Sequence, residues 1–255
     1  MFVDSPDKSW EAYGRDDPYF GVAADPKYRA ERLSETAKAE FFASGETYVA
    51  ELLDRLETHA GRIGRGRALD FGSGVGRVAL PLARRFDSVV GLDVSPSMIR
   101  EAEANALRFG LPNASFRPSG GDDLPNVEGG FDLVNTVIVL QHIQPHRGYR
   151  IIGRLLDLVA DGGACALHIN LTRRATRLRK AVNWSRARFL PLHHALNLAS
   201  GRKWNEPLMQ MNVYDLNRIA LMMQDRGFDG FYAHRFHDEP HPGVILMGIK
   251  GRPRG

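Results

Sequence analysis

The chain has 255 residues, of which 43% are hydrophobic and 25% are charged, and its formal net charge is +4. This composition excludes a disordered chain, a collagen and a coiled coil, and the length suits one large domain or a core with a small cap. No apolar run reaches the roughly 20 residues that a membrane helix needs. The single cysteine, Cys165, and the lack of a recognisable secretory leader favour the cytoplasm.

The positive charge is concentrated in one segment. Residues 171–203 contain nine Arg and Lys residues and no Asp or Glu, so the other residues carry a net charge of −5. Apolar side chains such as Trp184 and Phe189 interleave with the arginines, which predicts a basic amphipathic helix. We expect an insertion over 171–207 that caps the core, contacts an anionic acceptor, touches an acidic lipid surface or binds RNA.

The first predicted element is a helix. Residues 1–30 are polar and rich in turn residues, whereas apolar side chains recur every three or four residues across 30–60. We therefore expect residues 1–60 to form a helical N-terminal extension, which acts as a lid over the site or simply docks on the core. Residues 61–255 are expected to form that core.

From residue 61 onward, short apolar runs alternate with helical stretches, which predicts a mostly parallel sheet with helices on both faces. The predicted strands are Ala68–Phe71, Ser88–Val94, Ser115–Pro118, Phe131–Val137, Ala164–Leu171, Phe231–Phe236 and Val244–Lys250. The first predicted helix of the core runs from the glycine-rich turn after residue 71 to Phe86, and the second begins at Pro96, with Ser95 as its N-cap. The third runs from His146 to Ala160, where Asp161-Gly162-Gly163 is expected to end it. The fourth covers Tyr214–Arg226.

The most informative motif is ALDFGSGVGR at residues 68–77, where a strand enters a glycine-rich turn. Glycines let a ligand approach the backbone, and the turn leads to the N-terminus of a helix. The spacing differs from the G-x-G-x-x-G of dinucleotide-binding loops, in which Arg77 would be glycine. No phosphate-binding loop ending in Lys and Ser or Thr is present, which argues against a nucleoside triphosphatase.

With Asp70 two residues before its first glycine, this D-x-G-x-G-x-G pattern resembles motif I of class I S-adenosylmethionine-dependent methyltransferases. Three later landmarks agree over about residues 65–171: a second strand ending at Asp93, the segment after Ser95, and the segments that follow the third and fourth strands. The resemblance implies a seven-stranded Rossmann-like sheet with an antiparallel closing strand. It also implies methyl transfer from S-adenosyl-L-methionine, with S-adenosyl-L-homocysteine as the product.

The resemblance also implies which residues contact the cofactor. Asp93 would accept hydrogen bonds from the ribose hydroxyls, Met98 would pack against the adenine, and Thr136 and Val137 would lie near the methionine end. Either Asp122 or Asp123 would accept the adenine amino group. The implied cofactor-binding residues are Asp70, Gly72, Ser73, Gly74, Gly76, Asp93, Val94, Met98, Gly121, Asp122, Asp123, Thr136 and Val137.

Methyl transfer from a sulfonium needs alignment, and it needs a base only if the acceptor must lose a proton. His142 follows the fourth predicted strand and is the first candidate base, because histidine titrates near neutral pH. It also fits as a wall residue or an orienting hydrogen-bonding group. His168 is expected to be a buried core residue with a partner. We expect no metal site, because His234 and His237, three residues apart, would point to opposite faces of a strand and so not share a metal with His241.

The leading functional hypothesis is therefore transfer of a methyl group to an oxygen or nitrogen of a small molecule. A second hypothesis is an RNA or protein methyltransferase that docks through residues 171–203, although +4 is a modest charge for RNA binding. A third is a cofactor-binding scaffold without catalysis, since an intact glycine loop predicts binding rather than turnover.

Overall fold

The computed structural model describes residues 6–120, 122, 124, 126–172, 186, 189–207, 209–236 and 242–251. The strands are β1 (Arg67–Phe71), β2 (Ser88–Asp93), β3 (Ala114–Pro118), β4 (Phe131–Thr136), β5 (Val159–Asn170), β6 (Phe228–Phe236) and β7 (Gly243–Lys250). The helices are α1 (Pro6–Asp16), α2 (Pro18–Val22), α3 (Glu35–Ala60), α4 (Ala79–Ala83), α5 (Pro96–Arg108), α6 (Pro145–Asp157), α7 (Leu190–Ala199) and α8 (Leu216–Gln224).

These strands form one sheet in the order β3-β2-β1-β4-β5-β7-β6. Neighbouring strands from β3 to β5 are parallel, and β7 runs antiparallel between β5 and β6. The predicted fold class is thereby confirmed. After β3 the chain crosses to the other side of β1, so a crevice opens between the carboxyl ends of β1 and β4, where open α/β sheets bind ligands.

Helices cover both faces of the sheet. On one face, α3, α4 and α5 bury leucine, isoleucine, valine and alanine side chains against β1, β2 and β4. On the other face, α6 and α8 bury Ile151, Ile152, Leu155, Leu156, Ile219 and Met223. A third apolar cluster joins α1, α2 and the start of α3 to Met98 at the carboxyl end of the sheet. The N-terminal helices therefore pack beside the crevice.

Most predicted elements are confirmed to within a few residues, including the Ser95 cap, whose hydroxyl accepts the Met98 N–H. The predicted helix after the glycine turn is much shorter than expected. Only Ala79–Ala83 is helical, because residues 74–78 continue as turns through Gly76 at φ +90°.

The predicted end of the helix before β5 is wrong. Helix α6 ends at Asp157 and β5 begins at Val159, so Asp161-Gly162-Gly163 lies inside the strand rather than stopping the helix. The pairing of β4 with β5 shifts there, from Phe131–Val159 to Leu133–Ala164. Residues 160–163 form a bulge in which Gly163 fits closely against the Phe131 carbonyl oxygen, where a side chain would not.

None of the helices in the described parts of the chain is long and apolar enough to cross a bilayer.

Candidate active site

A cavity of about 350 Å³ lies at the carboxyl ends of β1, β2 and β4. Its volume falls at the lower end of the range for small-molecule sites in proteins. The floor comes from the sheet and the loops that follow these strands, and the sides come from α1, α2 and α6. The sequence-derived site thus lies at the point where the order of the strands reverses.

The glycine loop forms part of the floor and is fixed to the end of β2. The N–H groups of Gly72 and Ser73 both donate to the Leu92 carbonyl oxygen, at 2.7 and 3.0 Å. Gly72 and Gly74 have φ values of +76° and +53°, which favour glycine. A Cβ atom at either position would also collide with a valine side chain, Val139 or Val22. The loop therefore presents bare backbone to the cavity.

Asp93 lines the cavity where β2 ends, and hydrogen bonds hold its carboxylate in place. Oδ2 accepts the Gly74 N–H and Oδ1 accepts the Ser95 N–H, each at 2.9 Å. Burial raises the pKa of this carboxyl, and the backbone donors act in the opposite direction. Each carboxylate oxygen has a second lone pair. Asp93 can therefore accept hydroxyl donors from a ligand while it still anchors the loop.

A chain of hydrogen bonds leads from the cavity into the core through Asp70, which is 2% exposed. Its Oδ1 accepts from the Asn135 side chain at 2.8 Å, and the Asn135 carbonyl accepts from the Tyr48 hydroxyl at 2.9 Å. Burial raises the pKa of Asp70 to about 7, although the Asn135 hydrogen bond and the nearby Arg77 favour the ionised form. Near neutral pH, the protonated and the ionised forms of Asp70 are therefore both populated.

Two buried polar side-chain atoms beside the glycine loop are available to form hydrogen bonds with a polar ligand. The Ser73 hydroxyl is buried, lines the cavity and has no hydrogen-bond partner among the described residues. The Arg77 side chain also lines the cavity, and its Nε atom is buried without a partner in the same part of the chain. Backbone without side chains, a carboxylate and unfilled polar atoms together fit a nucleoside that carries an amino-acid tail.

The first helix closes the cavity on the side of β2. Met98 in α5 is 2% exposed, and its side chain reaches Gly14 and Gly21 of the N-terminal helices. The Glu11 carboxylate of α1 accepts the hydroxyls of Ser95 and Ser97 at 2.7 Å and the Ser97 N–H at 3.1 Å. An anion at a helix N-terminus is favourable, so Glu11 attaches α1 to α5.

The other end of the cavity is largely apolar. Trp10 of α1, Ile143 and Ile151 line it, and the Trp10 ring lies edge-on to the His142 ring with centroids 4.9 Å apart. Arg147 also lines it, where it pairs with Asp122 at 2.8 Å and with Asp7 at 3.2 Å. This end is therefore an apolar pocket with one histidine and one paired arginine.

His142 is 7% exposed and held in one orientation. Its Nδ1 donates to the Gln210 carbonyl oxygen at 2.8 Å, and its Nε2 lies 3.4 Å from the Gln141 side-chain nitrogen. Because the carbonyl oxygen only accepts, the neutral ring carries its proton on Nδ1 and an acceptor lone pair on Nε2. The structure thus places His142 in the cavity wall with a defined tautomer.

The wall after β4 contains a residue in an unusual conformation. Ile138 has a φ of +60°, which costs free energy for a β-branched residue. Its N–H donates to Nδ1 of His168 at 3.1 Å. Burial lowers the pKa of His168 to about 4, so the ring stays neutral and able to accept. His168 is thus a buried residue with a partner, as the sequence predicts, and it helps to shape the wall.

Some predicted site residues lie outside the cavity lining. Asp122 is directed toward α6, where Arg147 and Arg150 pair with its carboxylate and lower its pKa against the effect of burial. Thr136 is fully buried, and Gly76 turns the chain toward α4. Gly121 and Asp123 lie outside the described residues. The expected role of Gly76, Gly121, Asp122, Asp123 and Thr136 in cofactor binding stays a prediction. His237 and His241 also lie outside the described residues, so the expectation about a metal site stays a prediction too.

The predicted residues that line the cavity are Asp70, Gly72, Ser73, Gly74, Asp93, Val94, Met98, Val137 and His142. Trp10, Arg147 and Asn135 were not predicted as site residues from the sequence. Asn135 was detectable as an amide near the end of a largely buried strand, FDLVNT. Trp10 and Arg147 carry no local signal, because only the packing of α1 and α6 brings them to the cavity.

The cavity is roofed by the N-terminal helices, and these are connected to the segment that follows α7. The Asp17 and Glu206 side chains are 4% and 5% exposed, and Arg29 lies 3.4 Å from the first and 2.5 Å from the second. Lys203 adds a further contact to Asp17 at 2.5 Å. The Tyr13 hydroxyl donates to the Pro207 carbonyl oxygen at 2.9 Å. We call this set of charged residues the roof cluster.

Residues 68–163 match a family model described as a methyltransferase domain. The chain is 34% identical to trans-aconitate 2-methyltransferase of Methylobacterium radiotolerans over 137 residues, which are 52% of this chain and 48% of that protein. It is 35% identical to an uncharacterized methyltransferase of Synechocystis sp. over 101 residues, covering 40% of this chain and 45% of that protein. The chain thus spans less than half the length of these relatives.

The whole architecture is similar to a solved structure, the magnesium protoporphyrin IX methyltransferase of Synechocystis PCC 6803 with bound S-adenosylhomocysteine. The TM-score is 0.61 at 18% sequence identity, over 96% of this chain and 97% of that chain. At this identity the likeness concerns the fold.

Proposed function

We propose that the chain is a class I S-adenosylmethionine-dependent methyltransferase that transfers a methyl group to a small molecule, and the match of residues 68–163 to a methyltransferase-domain model supports this. The observation that carries the proposal is the cavity at the carboxyl ends of β1, β2 and β4, which joins a glycine-lined, carboxylate-bearing end to an apolar end. A two-part cavity suits a cofactor and an acceptor that must meet in line.

The proposed cofactor end is formed by the glycine loop, Asp93 and Met98. Asp93 accepts the ribose hydroxyls through the lone pairs that its backbone donors leave available. Met98 and Val94 contact the adenine, with Gly120 nearby in the same wall. Ser73 and Arg77 provide polar groups for the amino-acid tail. The bound cofactor supplies an electrophilic sulfonium methyl group, and the protein supplies its position.

The proposed acceptor end is formed by Trp10, His142, Ile143 and Ile151. Its walls exclude water and contact an apolar body. Gln210 fixes the proton of His142 on Nδ1, and the Gln141 amide nitrogen lies 3.4 Å from Nε2. A hydroxyl or amine acceptor takes the place of this amide at Nε2, which orients the acceptor atom and takes its proton where the acceptor must lose one. Oxygen and nitrogen acceptors of modest size fit this arrangement best.

The proposed location is the cytoplasm, which the single buried cysteine, Cys165, supports.

Calorimetric titration of the purified chain with S-adenosylmethionine and S-adenosylhomocysteine tests the proposal. We expect micromolar binding of both compounds, and a loss of at least about tenfold in Asp93→Asn, because one charged acceptor is removed from the ribose site. Glu128→Gln is the matched control, since this acid is exposed and lies away from the cavity lining.

Transfer of a labelled methyl group to a panel of hydroxyl and amine acceptors then separates an enzyme from a scaffold. Cofactor binding without transfer to any acceptor would favour a non-catalytic role. The absence of binding in folded, ligand-free protein would refute the cofactor assignment itself.

A further inference from the structure

The turn that follows β4 is strained at one residue. Ile138 has a φ of +60°, which a β-branched residue adopts only at a cost in free energy. It lies between Val137 and Val139, and all three residues line the cavity. A backbone conformation of this kind persists only where neighbouring contacts hold it. The contacts of Ile138 therefore determine the shape of this part of the cavity.

One such contact comes from His168 in β5. Its Nδ1 accepts the Ile138 N–H at 3.1 Å, so the neutral ring carries its proton on Nε2. The ring is 1% exposed, and burial lowers its pKa to about 4, which keeps Nδ1 available as an acceptor near neutral pH. Strand β5 is paired on both sides, with β4 and with β7, so the backbone of His168 is held in place.

The turn connects the glycine loop to the wall that contains His142. A Cβ atom at Gly72 would collide with the Val139 side chain, so this valine packs directly on the bare backbone of the loop. The Val139 carbonyl oxygen accepts the His142 N–H at 2.9 Å. A change of φ at Ile138 would therefore move Val139 away from the loop and shift the start of the wall.

Loss of the His168 acceptor should allow the turn to relax. A buried N–H without an acceptor is costly, and a return of Ile138 to negative φ relieves both that cost and the strain. The hydrogen bond thus keeps the strained conformation in place. His168 itself is not among the described residues that line the cavity, so it acts on the site through Ile138.

We propose that His168 is a positioning residue of the cofactor end, because its hydrogen bond to Ile138 keeps the left-handed turn that packs Val139 on the glycine loop. This inference rests on the proposed function, since the glycine loop belongs to the end of the cavity proposed for S-adenosylmethionine. It concerns the affinity for the cofactor rather than the chemistry of transfer. A merely structural role of His168 predicts a loss of stability without a change in that affinity.

Calorimetric titration with S-adenosylhomocysteine tests the proposal through two variants of similar shape. His168→Leu removes the acceptor, whereas His168→Asn keeps one, because the amide oxygen of asparagine and Nδ1 of histidine are both bonded to Cγ. We expect His168→Leu to bind at least about tenfold more weakly than the unmodified chain, and His168→Asn to stay within about threefold of it. Circular dichroism checks that both variants keep the fold.

A second comparison tests the strain directly. Glycine adopts a positive φ freely, so Ile138→Gly should keep the turn without the help of His168. The double variant Ile138→Gly/His168→Leu should therefore bind within about threefold of Ile138→Gly alone. This comparison stands even if His168→Leu does not fold by itself. A loss of about tenfold in the double variant relative to Ile138→Gly would overturn the positioning role.

Asn113→Leu is the matched structural control. The Asn113 side chain donates to the carbonyl oxygens of Ala83 and Phe86 at 2.7 and 3.0 Å, and it is not among the described residues that line the cavity. This variant should lose stability and keep its affinity. Equal affinity of the unmodified chain, His168→Leu and His168→Asn would overturn this proposal alone, as would an equal loss in both variants. If the unmodified chain bound no S-adenosylhomocysteine, the proposed function would fail, and this proposal with it.

Discussion

Asp70 holds its proton to an unusually high pH because it lies at the inner end of the cavity, away from water. The raised pKa of about 7 compares with 3.8 for an exposed aspartate. Between these values the folded chain binds more protons at this site than the unfolded chain. The contribution of Asp70 to stability therefore falls as the pH rises from about 4 to about 7.

Replacing Asp70 with asparagine should remove this dependence, because an amide does not ionise and still accepts from Asn135. The free energy of unfolding of Asp70→Asn relative to the unmodified chain should rise by about 3 kcal/mol between pH 5 and pH 8. Urea unfolding at the two pH values measures this difference. A constant difference would mean that Asp70 titrates normally in the folded chain.

Single residues were predictable from the sequence where a backbone motif fixes them. Asp70 and Asp93 end neighbouring parallel strands, so their shared edge follows from the strand order alone. Trp10 was not predictable as a wall residue, since it reaches the cavity only through the contacts of α1 with α5. The partners of Asp122 were also not predictable, because Arg147 and Arg150 lie on a helix that the loop motif does not specify.

At the scale of elements, α3 and the glycine loop are in unusually close contact. Gly45 lies in the middle of α3, and a Cβ atom there would overlap with the Arg77 carbonyl oxygen. The contact is with backbone, so a rotamer change does not relieve it. Gly45 thus lets α3 support the loop that forms the floor of the cavity.

Gly45→Ala should destabilise the chain by about 1–3 kcal/mol, although alanine is the better helix former by about 1 kcal/mol. Gly153→Ala in α6 is the matched control, because its Cβ would meet the ends of two flexible side chains, Arg226 and Met222. The control should be neutral or stabilising. Thermal and urea unfolding of both variants decide the matter, and equal effects would show that α3 has room to shift.

Elements were predictable where hydrophobic periodicity and caps agree, as for α3 and α5. The boundary between α6 and β5 was mispredicted because a helix stop and a strand bulge use the same residues, Gly162 and Gly163. Only the pairing of β5 with β4 distinguishes the two. The face of α7 that is buried could also not be predicted from the sequence. His193 and Asn197 are buried because they form hydrogen bonds with backbone carbonyl groups, and not because they pack against apolar side chains.

At the scale of the molecule, the roof cluster joins parts of the chain that lie far apart in sequence. Arg29 lies between the buried carboxylates of Asp17 and Glu206, which connects the N-terminal helices to the segment after α7. Removing one partner of a buried ion pair leaves the other charge uncompensated. The two parts of the roof should therefore lose their structure together.

Glu206→Gln should lower the free energy of unfolding by about 3 kcal/mol and speed hydrogen exchange in α1 and α2. Glu31→Gln removes a mostly exposed carboxylate that lies 3.8 Å from Lys203, and it should cost under about 1 kcal/mol. Urea unfolding and hydrogen exchange by mass spectrometry measure both variants. If exchange in α1 and α2 were unchanged in Glu206→Gln, the two parts of the roof would be independent.

The position of the walls in the sequence bears on how the proposed acceptor pocket can change. Trp10 and Gln210, which shape the proposed acceptor end, lie before and after residues 68–163, whereas most of the floor lies within them. Mutations outside residues 68–163 can therefore remodel this end and leave the glycine loop and Asp93 intact. Substitutions that alter the proposed acceptor end should accumulate outside residues 68–163, while the residues of the proposed cofactor end are retained.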